Sequence, residues 1–293
     1  MKRALACALG SSVVWGCLPL FWRALEPLPS LYILSSRILW ATVFSGLVIL
    51  ATGRGPSVAA MLRNRKLMLR SAGAGWMIAF NWFLGIAAVN SGRTLDSTMG
   101  SFLNSLSCCL FAYFIFREVP GRLQAAGIAV AVVGVVWMTV YYGRMPWIAL
   151  CIAGTFGVYS TLKKNSPVDA LSSLFLEGLV VLPLCLPYVV LSEMRGTGAL
   201  ALLAPARIWL VPAIGVVTGL PLLLYAHSLH TLPLGLAGFL QYVTSFLSLF
   251  IALAVFREQF SPVYLAGYGF IWAALVLFTW GSIPRKNRPA PRG

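Results

Sequence analysis

The chain states one pattern twice, 140 residues apart, and the repeated unit holds an odd number of apolar runs. One run starting near Ser97 ends in Phe116-Arg117-Glu118, and another starting near Leu234 ends in Phe256-Arg257-Glu258. The same offset aligns Gly75 with Gly215, Ser105 with Ser245, Ala126 with Ala266 and Gly127 with Gly267. It also superimposes two ionisable residues set inside apolar runs, Arg37 and Glu177. A repeat this long is half the chain, so the expected organisation is a unit over 1–142, a second over 143–284 and a basic tail over 285–293.

Each unit carries five apolar runs. They are Ala4–Trp22, Leu31–Ala51, Ser71–Val89, Ser97–Phe116 and Leu123–Tyr142, then Pro146–Leu162, Ala170–Leu191, Ile208–Ala226, Leu234–Phe256 and Val263–Ile283. Several approach the length that crosses a hydrocarbon core of about 30 Å. With 59% hydrophobic and only 10% charged residues, the chain is too apolar for a soluble domain. Inside lipid the backbone must satisfy its own hydrogen bonds, and the alternation of barrel strands is missing, so the runs predict helices. Five is odd, so tandem units cross the membrane in opposite senses. The expected fold is an all-α membrane protein of ten transmembrane helices in two inverted five-helix repeats.

The net charge of +15 would suggest nucleic acid in a soluble protein; here it reports topology. With the N-terminus assigned to the cytoplasm, 15 Lys and Arg fall on that side and six on the other. Arg54, Arg63, Arg65, Lys66 and Arg70 make the densest group, between the second and third runs. Both termini are therefore expected to be cytoplasmic. The start, Met1-Lys2-Arg3 before an apolar run, resembles a signal peptide. Trp15, Pro19, Phe21 and Trp22 and the lack of a small-x-small site predict an uncleaved first span instead. The six cysteines lie in apolar runs without a CxxC or a nearby His, so no metal or redox site is expected. No GxxxxGK[ST] loop serves a nucleotide.

A charge inside a span is expensive and faces a cavity or a partner, which singles out Arg37 and Glu177. Each lies two turns inside its run, about 10 Å deep, from opposite sides of the membrane. Ser97, Ser101, Asn104, Ser105 and Cys108 share one helical face, as do Gly238, Gln241, Tyr242, Ser245 and Ser248. Small hydroxyl residues glue membrane helices together. Asn104 and Gln241 are stronger ligand candidates, because a buried amide needs several partners. Gly73, Gly75 and Gly85 around Asn81-Trp82, and Pro212, Gly215, Gly219 and Pro221, predict interruptions in the third and eighth spans. Trp15, Trp82 and Tyr159 would wall the site, against packing or lipid-facing roles for the same rings. Glu118 and Glu258 are expected to cap the next helix or pair locally. His227 and His230 lie near a helix end, with no cluster for a metal.

Several segments together resemble the RarD-like permeases, EamA-type members of the drug/metabolite transporter superfamily. They include Ser36-Arg37-Ile38-Leu39-Trp40, Asn81-Trp82 with Ala88-Val89-Asn90, and Leu162-Lys163-Lys164. Further on come Leu176-Glu177 with Leu182-Pro183, Thr218 with Pro221-Leu222, Gly238-Phe239-Leu240-Gln241-Tyr242 and Phe270-Ile271-Trp272. The resemblance covers essentially the whole chain. It implies ten helices in inverted halves, a bacterial inner-membrane location and movement of small organic solutes, often outward. The chain departs from the pattern at Ser36, where a His is usual, and at Ser105, where Asn-Pro is usual. It departs again at Arg117 and Arg257, where Gly precedes the Glu.

The expected function is secondary transport of a small organic metabolite by alternating access, not catalysis and without a cofactor. Arg37 would attract an anionic group, and Glu177 would bind an amine or the coupling proton. Asn81, Asn104, Gln241 and Tyr242 would supply hydrogen bonds, and Trp15 and Trp82 the apolar contact. An amino acid or drug-like solute fits those charges. A lipid flippase or scramblase and an uncoupled facilitator are the competing readings. The expected partners are the solute and the lipid bilayer, with a homodimer as the protein assembly open to it.

Overall fold

A computed structural model describes residues 2–117, 121–143, 145–163, 166–229, 234–259 and 261–282. Among them there is no strand, and every expected apolar run falls on helix. The first half holds α1 (Lys2–Gly16), α2 (Leu18–Ala24), α3 (Ser30–Ala51), α4 (Gly55–Arg63), α5 (Arg65–Asn90), α6 (Thr94–Phe116) and α7 (Arg122–Tyr142). The second holds α8 (Trp147–Lys163), α9 (Ala170–Met194), α10 (Ala199–Leu202), α11 (Leu210–Leu229), α12 (Leu234–Phe250) and α13 (Pro262–Ser282). A π-helical turn, Ile251–Val255, extends α12.

Among the described residues seven helical stretches are long and apolar enough to cross a membrane, and α6 makes an eighth if its two parts, bent by 44°, count as one span. Two shorter apolar helices, Trp147–Lys163 and Tyr242–Val255, occupy two more of the expected runs. Leu50, Phe114, Val140, Leu184 and Trp280 point outward and stay mostly exposed, as side chains facing lipid do. The first run is broken at Cys17, where Pro19 enters the first turn of α2 and supplies no N–H to continue the ladder.

The third and eighth runs are not interrupted. α5 and α11 are continuous, and α11 keeps Pro221 inside the helix. The repeated glycines serve close approach instead. A Cβ on Gly75 would sit 2.7 Å from the Glu177 carbonyl oxygen, and one on Gly215 would sit 2.3 Å from that of Trp40. These two glycines let α5 lie against α9 and α11 against α3. The bend falls in α6, between Asn104 and Leu106.

The remaining helix contacts pair α1 with α11 and α12, α8 with α5 and α6, α3 with α9, and α7 with α13. Two large cores lie among the described residues. One gathers Trp22, Leu25, Ile33, Ile38, Ile86 and Ile214, and the other Met99, Phe102, Leu106, Met138, Tyr268 and Ile271.

Arg117 and Arg257 both adopt the left-handed backbone region, with φ of 55° and 54°. A glycine would hold this conformation without a Cβ to clash, as the resemblance implies for both positions. Beyond the π-helical turn, the left-handed residue re-aims the chain so that Glu258 reaches the other half. Glu258 does not cap the helix that follows it. Its carboxylate accepts the N–H groups of Thr94 (2.7 Å) and Leu95 (2.9 Å), the exposed donors at the start of α6. Glu118, His230 and the tail 285–293 lie outside the described residues.

Candidate functional site

A cavity of about 640 Å³ lies between the two halves, within the size range of small-molecule sites. Its wall comes from α1, α2, α3, α5 and α6 of the first half and α8, α11 and α12 of the second. Trp22, Val89 and Ser97 line it near the helix ends joined by the α5–α6 turn, and Tyr159 and Tyr225 line it deeper. Six of the eight residues singled out from the sequence are on this wall: Trp15, Arg37, Asn81, Trp82, Asn104 and Tyr242. The Gln241 side chain lies outside the described residues. Glu177 is not on the wall; it lines a small neighbouring void beside Gly75 and Trp82.

Arg37 dominates the cavity electrostatics. It is 6% exposed, and its Nε has no hydrogen-bond partner. The guanidinium carbon lies 3.9 Å from the ring centre of Trp82 and 5.1 Å from that of Trp22, so indole faces flank the cation. Each such contact contributes roughly 0.5–2 kcal/mol. An Arg at a helix centre costs about 2.5–3.5 kcal/mol to place in a membrane, so the rings offset much of the burial but supply no hydrogen-bond acceptor.

The chain has seven carboxylate side chains, and the six described ones are engaged away from the cavity. Glu26 pairs with Arg23, Asp96 with Arg93 and Asp169 with Arg54. Glu193 accepts from the Tyr32 hydroxyl and the Ala199 N–H, and Glu258 caps α6. Glu177 is held by Lys163, whose Nζ lies 2.8 Å from Oε1. The Ser173 hydroxyl donates to the same oxygen at 2.7 Å, and the Tyr159 hydroxyl to Oε2 at 3.3 Å. Lys163 also contacts the Ser173 hydroxyl.

Two amides on the wall differ in what they leave open. The Asn81 amide nitrogen donates to the Ile152 carbonyl (2.7 Å) and to Thr155 Oγ1 (3.0 Å), tying α5 to α8. Asn104 Oδ1 is buried without a partner, as is Thr218 Oγ1. The polar stripes divide likewise. Ser101 and Ser248 line the cavity but donate to the Ser97 and Gly16 carbonyls.

Sequence reasoning missed Trp22 and Lys163. In the sequence Trp22 argues only against cleavage, whereas its ring lies against the Arg37 guanidinium. Lys163 enters the sequence reading by name only within Leu162-Lys163-Lys164, yet it is the last residue of α8, the helix that precedes that of Glu177 in the chain. That adjacency was the available signal.

No protein-family model matches the chain. Among curated proteins it is similar to an uncharacterized transporter, YojE, of Bacillus subtilis, 34% identical over 98% of this chain and 96% of the relative. It is 31% identical to the protein RarD of Streptomyces exfoliatus over 99% and 92%. A third relative, the chloramphenicol-sensitive protein RarD of Pseudomonas aeruginosa, is 31% identical over 98% and 96%. A solved crystal structure shares the fold with a TM-score of 0.63 at 18% identity, covering 94% of this chain and 97% of that one. With relatives above 30% identity over nearly the full length, an all-helical architecture and a set of membrane-length helices, the chain belongs to the RarD-like permeases, a family of multi-pass membrane transporters.

Proposed function

We propose that this protein is a secondary transporter, not an enzyme, moving a small organic metabolite across the bacterial inner membrane by alternating access. The observation that carries the reading is the cavity itself. It is roomy, walled by both halves of the chain, and holds a buried guanidinium with no counter-ion among the described residues.

The proposed architecture is ten spans in two inverted halves, 1–142 and 143–284, with both termini cytoplasmic. Three features support it. The five apolar runs of each half are helical over most of their length among the described residues. Basic residues divide 15 to six. Contacts between the halves also come in matched pairs under the 140-residue offset: α1 with α11 mirrors α8 with α5, α1 with α12 mirrors α8 with α6, and α3 with α11 mirrors α9 with α5. In that topology the cavity faces away from the cytoplasm, and the Lys163–Glu177 pair lies toward the cytoplasmic end.

Lys163 and Glu177 join α8 to α9 beside the cavity floor, where Tyr159 belongs to both the wall and the ion pair. Proton uptake by Glu177 would remove the attraction and release the two helices, which is how a pH gradient could drive the cycle. The test is solute flux in proteoliposomes, with a metabolite extract as substrate pool, mass-spectrometric readout, and an imposed pH gradient or none. Arg37→Gln is expected to reduce flux at least about tenfold. Glu177→Gln is expected to retain flux but lose its response to the gradient. Parent protein that moves no metabolite under either condition refutes the transport reading.

A further inference from the structure

We propose that the solute is an organic monocarboxylate bearing a neutral hydrogen-bond donor, and that a zwitterion or an amine is excluded. This rests on the transport reading above and names the substrate class of the same cavity. Arg37 is 94% buried, given its 6% exposure, faces the cavity and pairs with no described carboxylate. A guanidinium presents parallel N–H groups that match a carboxylate edge, and both partners gain when water is excluded. The flanking indoles of Trp22 and Trp82 fix the plane of the fork.

Among its described lining residues the same cavity offers an ammonium group no carboxylate. Glu177, the carboxylate expected to take it, is bound by Lys163, Ser173 and Tyr159 off the cavity wall. The α-amino group of an amino acid would sit next to the carboxylate and so next to Arg37, with no described anion to oppose it. A phosphate dianion is poorly matched for the opposite reason, since Arg37 is the one cation among the described lining residues. Asn104 Oδ1 and Thr218 Oγ1 are buried on the wall without partners. An amide oxygen accepts and cannot donate, so the group that meets Asn104 must be an O–H or N–H. Trp15 and Tyr159 add aromatic surface to the wall.

A charge series on one scaffold tests this on the full chain in detergent micelles. The probes are 4-hydroxyphenylacetate (anion), 4-hydroxyphenylacetamide (neutral), tyramine (cation), tyrosine (zwitterion) and phenyl phosphate. Quenching of tryptophan fluorescence reads binding, because two indoles contact Arg37, and a thermal shift reads it independently. The anion is expected to bind at least about tenfold more tightly than each of the others. Arg37→Gln should abolish that preference, and Arg37→Lys should restore it only in part. Asn104→Leu should weaken 4-hydroxyphenylacetate more than phenylacetate, which lacks the donor. The series on the parent protein needs no variant, so a misfolded Arg37→Gln leaves the test intact.

Tyramine or tyrosine binding as tightly as the anion overturns the inference. So does a 4-hydroxyphenylacetate that fails to bind at millimolar concentration, or that binds Arg37→Gln as well as the parent. Anion binding that depends on Arg37 without flux in proteoliposomes upholds the site and removes the transport reading. Flux of tyramine without anion binding keeps transport and overturns the substrate class.

Discussion

Replacing one member of the Lys163–Glu177 pair at a time should give unequal losses of stability, because the two charges differ in access to water. The Glu177 carboxylate is 6% exposed, whereas the Lys163 side chain keeps 24% of its surface open at the last residue of α8. Lys163→Met strands a buried carboxylate with only the Ser173 and Tyr159 hydroxyls to solvate it. Breaking a buried pair by removing one partner costs about 3–5 kcal/mol, and the two surviving hydroxyls put this case near 3. Glu177→Gln leaves an ammonium that can swing its flexible stem toward water, while the amide keeps both hydroxyl partners. That loss should be about 1 kcal/mol, closer to the range for exposed pairs.

The double variant Lys163→Met/Glu177→Gln removes the charge along with its partner. It should be about as stable as Glu177→Gln alone, so the two single losses fail to add by roughly 2–3 kcal/mol. The assay is unfolding by SDS in mixed micelles, followed by far-ultraviolet circular dichroism, on samples first shown to be monodisperse. Equal losses from the two single variants, or a double variant that loses their sum, would refute the argument that a buried carboxylate held by Lys163 is the strained partner.

Three further outcomes follow from the fold. Gly215→Ala places a Cβ 2.3 Å from the Trp40 carbonyl and should cost about 1–3 kcal/mol, whereas Gly154→Ala meets nothing within 4 Å and should stabilise α8 by roughly 0.5–1 kcal/mol in the same unfolding assay. Glu258→Ala strips two charge-assisted acceptors from the start of α6 and should cost about 2–3 kcal/mol, while Arg257→Gly, relieving a φ of 54°, should be neutral or stabilising by up to about 1 kcal/mol. For topology, Ser57→Cys and Thr197→Cys in a cysteine-free variant should be alkylated from opposite sides of the membrane; labelling of both from one side sinks the inverted arrangement.

The helices were legible because lipid leaves a chain few options: an apolar run must close its own hydrogen bonds, and among the described residues each expected run falls largely on helix. The wall of the cavity was partly legible too, since Arg37 and Asn104 are costly to bury without a use. What the pattern could not yield was pairing between elements. Gly75 and Gly215 look alike whether they break a helix or admit a neighbour, and only the position of Glu177 and Trp40 against them decides it. Likewise Glu258 sits beside its own next helix in sequence but bonds to Thr94, because the left-handed Arg257 turns it away. Lys163 belongs to a charge count in one dimension and to an ion pair in three.

Read as repeats, the two halves carry an ion pair in one and an unpaired cation in the other at equivalent positions. Lys163 and Glu177 align with Arg23 and Arg37 under the 140-residue offset. In the second half the basic and acidic members attract, and the pair draws the end of α8 onto α9. In the first half both members are cations, so they cannot close on each other. Arg23 turns instead to Glu26 and the ring of Phe256, with a long contact to the Val89 carbonyl. Arg37 is left between two indoles facing the cavity. On the proposed transport reading, the ion pair would hold one end together while the unpaired cation at the other end would receive an incoming anion. On this argument Arg37→Glu should do more than abolish anion binding. It gives Arg23 a partner at the position that mirrors Glu177, and so should favour closure of the cavity, seen as reduced alkylation of a cysteine placed at Ser97.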